Sequence, residues 1–289
     1  MKRITVPAYA KINLFLDVIN KRNDGYHNIE SVMQSVSLCD EVTVEVEVGE
    51  GIEINQFFEN SDLPCDETNL CYKAANAYLV YFGIDNVKIN INVDKRIPCQ
   101  AGLAGGSADA AAVIRGLDMA FGKTTDTALL SKIGLMVGSD VGFCIYGGTC
   151  AVEGRGEIVK PIAKLEKYWV VIAKSNSESV STSVAYSRID SNEKKTSPKI
   201  MFSDYVDAVI DGNNAKVESG MYNLFQDVMK DELTDTYEII GIMKKNGSLG
   251  AQMSGSGPSV FGLFDCEEKA RVALKALEER CFAAVCRMV

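Results

Sequence analysis

Alternation of apolar and polar residues marks strands at several places along the chain. Residues 8–19 mix β-branched and other apolar positions with Lys11, Asn13 and Asp17, the pattern of a half-exposed strand whose polar face carries Lys11 and Asn13. Asn23-Asp24-Gly25 ends it. Val42, Val44, Val46 and Val48 alternate with Thr43, Glu45 and Glu47, and Gly49-Glu50-Gly51 leads into Ile52-Glu53-Ile54, which predicts a hairpin. Residues 69–82 carry a helical period, and Val87, Ile89, Ile91 and Val93 alternate with Lys88, Asn90 and Asn92 as a further strand. After a loop at 98–106, Ser107-Ala108-Asp109-Ala110-Ala111-Ala112 opens an alanine-rich helix that Gly122 ends, with small side chains that permit close packing. Thr125 or Asp126 caps a second helix through Leu129, Leu130, Ile133 and Val137, which Gly138 stops. Ser139-Asp140 then reads as the turn before an apolar strand-like segment, residues 141–146.

Gly147-Gly148 and the turn at Gly154-Arg155-Gly156 predict strands on either side of Cys150. Residues 164–167 form a charged connector, and Tyr168-Trp169-Val170-Val171-Ile172-Ala173 starts afresh as a buried strand. That places a domain boundary near residue 163, giving domains 1–163 and 164–289. Beyond it the pattern gives mostly helices, a polar loop at 191–197, a strand at 251–253, a Gly/Ser loop, a strand at 260–264, a helix at 267–280 and a last strand to 288. Strands and helices interleave throughout, so the fold class is α+β, and no repeat of solenoid period interrupts it.

Composition narrows the function. With 289 residues, 47% hydrophobic, the chain can bury a large core. The apolar run after Met1-Lys2-Arg3 is broken by Lys11 and Asp17, unlike a secretory signal, and no stretch approaches the roughly 20 apolar residues that span a bilayer. Nine cysteines without a CxxC pair read as free thiols in a reducing compartment, so a cytoplasmic protein without zinc is expected and the Asn246-Gly247-Ser248 sequon is unused. A net charge of −9 opposes a nucleic-acid or anionic-membrane surface. It leaves room for a single nucleotide held by backbone amides and a few placed cations.

The strongest local signal is the loop of residues 98–111, where Pro98, Ala101, Gly102, Leu103, Ala104, Gly105, Gly106 and Ser107 lead directly into a helix. Such a segment lets amides approach an anion and aims a helix dipole at it. It is neither a Walker A loop nor a G-x-G-x-x-G turn, and on composition alone a capped turn explains it equally well. Met253-Ser254-Gly255-Ser256-Gly257-Pro258-Ser259 joins two strands and can bring further donors to the same anion. Asp140 sits where a carboxylate can form the floor of a cleft, or simply cap a turn. His27, the only histidine, has no nucleophile or metal-ligand pattern around it.

Taken together these pieces resemble the GHMP family of small-molecule kinases, whose three motifs appear here in order: residues 7–16 with Lys11 and Asn13, residues 98–111, and residues 253–262. The resemblance covers essentially the whole chain. Through Ala10-Lys11-Ile12-Asn13-Leu14-Phe15-Leu16, Asp24-Gly25-Tyr26-His27, Gly138-Ser139-Asp140-Val141, Val180-Ser181-Thr182 with Tyr186, and Met253-Ser254-Gly255-Ser256-Gly257-Pro258-Ser259, it narrows to the branch that acts on a methylerythritol carrying cytidine diphosphate. It implies a two-domain fold, ribosomal-protein-S5-domain-2-like then ferredoxin-like, with the active site in the cleft between domains. The protein would be a monomer or homodimer using ATP and Mg²⁺. In the family the match to Asp140 takes the proton from the substrate hydroxyl and the match to Lys11 favours the ionised form. Gly102, Gly105, Gly106 and Ser107 would donate to the phosphates, with the Ser107 hydroxyl a Mg²⁺ ligand, and Asn69, Leu70 and Lys95 match positions near the adenosine. Tyr26 and Tyr186 would stack on the cytosine, His27 would read its edge, and Asn13 and Thr182 would contact the polyol or diphosphate. Gly142 stands where the family usually has proline, and Ala104 where many members have glycine. The competing readings are a related kinase of homoserine, mevalonate or a sugar, and a silent nucleotide-binding module.

Overall fold

The structure, a computed structural model, describes residues 1–178, 181–191 and 196–289. Val180 of the Val180-Ser181-Thr182 segment and residues 192–195 of the expected polar loop lie outside the described residues. The chain packs into two compact units: Met1–Ala10, Cys39–Cys99 and Ala104–Gly147 in one, and Lys11–Leu38, Gln100–Leu103 and Gly148–Val289 in the other. Strand β1 (Lys2–Lys21) and strand β2 (His27–Val48) each give one part to the first unit and one to the second.

In the first unit β2 is followed by β3 (Ile52–Glu59), α1 (Leu70–Phe82), β4 (Val87–Asp94), α2 (Gly105–Ala120), α3 (Thr127–Leu135) and α4 (Ser139–Tyr146). The expected hairpin does not form, because β4 lies between its two arms. It is antiparallel to β2, with Val44 opposite Ile91, and parallel to β3, with Ile54 opposite Ile89. The turn at 49–51 wraps the start of β4 instead: Gly49 N–H donates to Asn86 O, and Val87 N–H donates to Gly51 O. A Cβ on Gly49 would come within 2.9 Å of the Val87 carbonyl carbon, so this approach needs glycine. Alternating apolar residues put one face of β4 in the core, where Val87, Ile89, Ile91 and Val93 are buried. The alanine side of α2 packs closely too, and a Cβ on Gly116 would meet Val44 Cγ2 at 3.0 Å.

The segment after Gly138 is the helix α4, not a turn and strand. Gly138 is its N-cap and Asp140 lies in its first turn, where a carboxylate complements the helix dipole. Gly142 fits α4 against α3, since a Cβ there would be 2.8 Å from Leu135 Cδ2 and 3.1 Å from Ser131 Oγ.

The second unit continues with β5 (Thr149–Gly154), β6 (Ile158–Pro161), β7 (Trp169–Lys174), α5 (Thr182–Ser191), α6 (Phe202–Ile210), α7 (Asn214–Ser219), β8 (Tyr222–Asn223), α8 (Leu224–Val228), α9 (Thr234–Lys245), β9 (Gly250–Met253), β10 (Val260–Phe264), α10 (Glu267–Leu277) and β11 (Phe282–Arg287). A four-stranded antiparallel sheet runs in the order β11-β7-β10-β9. Helices α9 and α10 cover one face of it, and Val171, Val260 and Phe264 close a core with Ile239, Met243, Ala273 and Leu277. Elsewhere in the unit β2 pairs with β5, and Phe15 and Leu16 of β1 run parallel to Tyr222 and Asn223 of β8. This part of β1 is enclosed on both faces. Lys11 is 4% exposed and Asn13 1%, so the half-exposed strand read from the alternation is in fact a buried one.

Candidate active site

The first unit presents a helix start suited to an anion. Helix α2 begins at Gly105 after Ala104, whose φ of 57° is left-handed, and no side chain caps it. Its first turn holds no acidic residue, and Gly106 is exposed there beside a half-buried Ser107. The N–H groups of the first turn have no intrahelical acceptors, so an uncapped start of this kind favours negative charge. Ala104 adopts the φ > 0 backbone that glycine prefers, at a cost of about 1–2 kcal/mol. The glycines after it are set by their neighbours: a Cβ on Gly105 would lie 3.1 Å from Ile97 Cγ2 and 3.5 Å from Lys95 Nζ, and one on Gly106 would lie 3.6 Å from Leu70 Cδ1. Leu70, Lys95 and the glycines are thus neighbours. Asn69 caps α1, accepting from Cys71 N–H at 2.9 Å while its amide donates to Pro64 O at 2.9 Å.

Lys95 is held by two carboxylates beneath this helix start. Its ammonium is 4% exposed and donates to Asp109 Oδ2 at 2.6 Å and to Asp40 Oδ2. Asp40 Oδ1 in turn accepts from the N–H groups of Arg96 and Ile97, the residues that lead into the loop. Asp109 Oδ1 is buried with no hydrogen-bond partner, and burial pushes the Asp109 carboxyl up to about 7 against the pull of Lys95.

The second unit gathers residues of all three sequence motifs. Lys11 Nζ donates to Asn13 Oδ1 at 2.7 Å and to Gly102 O at 3.0 Å. Asn13 Oδ1 also accepts from Gly255 N–H at 2.9 Å, and Gly102 O accepts from Ser254 Oγ at 3.0 Å. Two glycines make this contact possible. Gly102, at φ +74°, would carry its Cβ 2.1 Å from Ser254 O, and Gly255, at φ +57°, would carry one 3.0 Å from Gly102 O and 3.2 Å from Lys11 Nζ. Outside the motifs, Asn223 donates to Met253 O at 2.8 Å and Gly255 O at 2.9 Å, and Gln252 donates to Asn13 O at 2.9 Å and Leu14 O at 3.1 Å. Asn13 Nδ2 donates to Ser31 Oγ at 2.9 Å, which closes the network. Thr182 joins at its edge through a 2.9 Å hydrogen bond with Ser256 Oγ.

A second cluster in the same unit is aromatic. The turn before β2 is shaped by Asp24, whose Oδ1 accepts from Tyr26 N–H at 3.1 Å and which pairs with Arg22. It presents Tyr26, 54% exposed, with the Arg155 guanidinium 5.1 Å from its ring centre. His27 is buried, stacked on Tyr186 with ring centres 4.5 Å apart at 20°, and its Nε2 lies 2.8 Å from Asp190 Oδ1. Tyr186 meets Phe225 edge to face at 5.0 Å.

Comparison with known proteins fixes the family. Residues 69–148 match the GHMP kinases N terminal domain and residues 205–283 the GHMP kinases C terminal domain. The chain is 41% identical to a 4-diphosphocytidyl-2-C-methyl-D-erythritol kinase of Acetivibrio thermocellus over 98% of both chains. The chain belongs to the GHMP kinases. Among relatives of the same name, that of Clostridium tetani is 38% identical over 95% of this chain and 96% of its own. A crystal structure of 4-(cytidine 5'-diphospho)-2C-methyl-D-erythritol kinase superposes with a TM-score of 0.79 at 30% identity, covering 99% of each chain. A homoserine kinase from Cytophaga hutchinsonii, 20% identical with a TM-score of 0.77, shares the fold.

GHMP kinases use ATP as phosphate donor, generally with Mg²⁺. The uncapped, acid-free start of α2 fits a polyphosphate. Among the described residues no group of three or more His, Cys, Asp or Glu side chains is placed to hold a metal ion. A hard cation brought in with the phosphates needs few protein ligands, and the Ser107 hydroxyl supplies one oxygen of the right kind. Sequence reasoning missed Asp40, Asp109, Asp190, Asn223 and Gln252. Each is a lone polar residue whose partner is remote along the chain, so no spacing marks it. Among the described residues, no helix is long and apolar enough to cross a membrane.

Proposed function

We propose that this GHMP kinase transfers the γ-phosphoryl group of ATP to the 2-hydroxyl of 4-diphosphocytidyl-2-C-methyl-D-erythritol, giving the 2-phosphate and ADP in the non-mevalonate isoprenoid pathway. The observation that carries this reading is identity of 41% over 98% of both chains to a relative of that name. The polar and aromatic clusters support it. The amides of Gly105, Gly106 and Ser107 receive the phosphates, and bound ATP with Mg²⁺ supplies the group to be transferred. Asp140 takes the proton from the substrate hydroxyl, a role typically worth about 10²–10⁴-fold. Lys11, fixed by Asn13 and Gly102, supplies a positive charge that favours the ionised alcohol. Because Asn13 and Gly102 are themselves pinned by Gly255 and Ser254, this ammonium is pre-positioned, and such pre-positioning carries much of the acceleration in phosphoryl transfer.

Tyr26, His27 and Tyr186 receive the cytosine. A base hydrogen-bonded to the edge of His27 lies near the imidazole plane, to which the Tyr186 ring is already nearly parallel. Homoserine, mevalonate and sugars carry no base for these rings, and the chain's likeness to the homoserine kinase at 20% identity is one of fold. Nine cysteines with no CxxC pair among them suit a cytoplasmic enzyme. The test is incubation with Mg-ATP and the cytidine substrate, with ³¹P NMR of the product. A new phosphomonoester on the tertiary alcohol, beside an intact diphosphate, is expected. No new ester, or one at another hydroxyl, would refute the assignment.

A further inference from the structure

Asp190 has no role in the chemistry above, yet it holds the only histidine of the chain. Its Oδ1 lies 2.8 Å from His27 Nε2, and its Oδ2 accepts from Lys21 Nζ at 2.6 Å. Hydrogen bonds from Lys21 and then His27 hold the Asp190 carboxyl below the usual carboxylate range. An ionised carboxylate only accepts, so the ring nitrogen that faces it carries the hydrogen. The imidazole is 8% exposed and stacked on Tyr186, which keeps it from turning over to offer its other nitrogen to Asp190. Nδ1 makes no hydrogen bond with the described residues.

We infer that Asp190 sets the choice of pyrimidine: by fixing the His27 hydrogen on Nε2 it leaves Nδ1 as an acceptor, which matches the exocyclic amine of cytosine and opposes the carbonyl that uracil carries at the same position. The inference rests on the proposed reading that the base of the substrate meets His27. Its energetic sense follows from the asymmetry of polar recognition. A site built to accept a hydrogen bond rejects an analogue that presents a second acceptor, because two lone-pair groups are then buried against each other. Asp190 acts through His27 and is a positioning residue. Lys21 serves the same end by keeping that carboxylate charged.

The lone histidine makes the test direct. Long-range ¹H–¹⁵N NMR of the ¹⁵N-labelled enzyme shows one imidazole, and the neutral Nε2–H pattern is expected in the wild type, with the Nδ1–H form appearing in Asp190→Ala. In parallel, kcat/KM is measured with the cytidine substrate and with its uridine analogue for wild type, Asp190→Ala and Asp190→Glu. For Asp190→Ala a rise of about tenfold in KM for the cytidine substrate is expected, with kcat nearly unchanged and the cytidine-to-uridine ratio falling by about tenfold. Asp190→Glu should recover most of the ratio. An Nδ1–H or doubly protonated ring in the wild type, or an unmoved ratio in Asp190→Ala, would overturn the inference. If the wild type shows the Nε2–H ring yet turns over neither nucleotide substrate, the proposed function fails and takes the base selectivity with it. If it turns over the cytidine substrate with an unmoved ratio, only the role of Asp190 fails.

Discussion

Lys95 faces two carboxylates, Asp40 and Asp109, in a site that is almost closed to solvent, and Asp109→Asn tests what the second carboxylate costs. Burial raises the Asp109 carboxyl from 3.8 to about 7, with Lys95 pulling it down and Asp40 pushing it up. The unfolded chain releases this proton near 3.8, so between there and pH 7 the folded protein binds more protons than the unfolded one. Stability from this group therefore falls as pH rises through that interval, and the full cost is present above pH 7. At ~1.4 kcal/mol per pH unit, the portion lost between pH 5.5 and 8 is at most about 2 kcal/mol. Asparagine keeps the shape, lets an oxygen accept from Lys95, and leaves one ammonium against one carboxylate. Its amide falls where Asp109 Oδ1 now has no partner, so the variant keeps that one orphaned position. Urea unfolding of both proteins at pH 5.5 and 8 supplies the test. The wild type should lose up to about 2 kcal/mol relative to Asp109→Asn over that range. A variant less stable by the same amount at both pH values would show that Asp109 is a settled ion-pair partner of Lys95, and the reasoning would be wrong.

Gly102→Ala would drive a Cβ to 2.1 Å from Ser254 O at a φ of +74°, so a loss of several kcal/mol in thermal or urea unfolding, or no folded protein, is expected. Wild-type stability would contradict the contact between the second and third motifs. Asp140→Asn should lower kcat by about 10²–10⁴-fold in steady-state assays while the far-UV circular dichroism is unchanged, and a kcat within a few-fold of wild type would remove Asp140 from the role of base. Tyr26→Ala removes a stacking surface worth about 1–3 kcal/mol, so KM for the cytidine substrate should rise by about 5- to 150-fold with little change in kcat. An unchanged KM would count against stacking on Tyr26.

Elements with one buried face were legible in the sequence. The alternation of Val87, Ile89, Ile91 and Val93 marks β4 directly, since a single apolar period decides it, whereas α2, buried all round over residues 108–114, is legible from the helix propensity of its alanine run. Pairing was harder. The valines of residues 42–48 and the isoleucines after Gly51 predict a hairpin, yet both bond to β4 and a local turn pattern cannot register a third strand inserted between them. The run after Gly138 is short and apolar, where strand and helix look alike, and its helix is betrayed only by Asp140 in the first turn. Residues 27–38 escaped notice as a strand because Ser31, Gln34 and Ser35 are buried polar residues that break the alternation.

The candidate site divides in the same way. Glycines forced by close approach, such as Gly102 and Gly255, mark themselves by composition. Lys11 and Asn13 looked like the wet face of a strand, because nothing local reveals that Gly102, Gly255 and Ser31 will supply their hydrogen bonds. Their buried state is a product of tertiary structure. The same holds for Asp190, which stands in an ordinary polar helix until the fold brings it to His27.

The central claim is that this kinase phosphorylates an alcohol on a cytidine-bearing substrate. A coupled ADP-release assay that offers 4-diphosphocytidyl-2-C-methyl-D-erythritol beside homoserine, mevalonate and galactose tests it most directly. Release that depends on the cytidine substrate and stays at background with the other three is the predicted result. Faster release with any of those three, or none with the cytidine substrate, would contradict it.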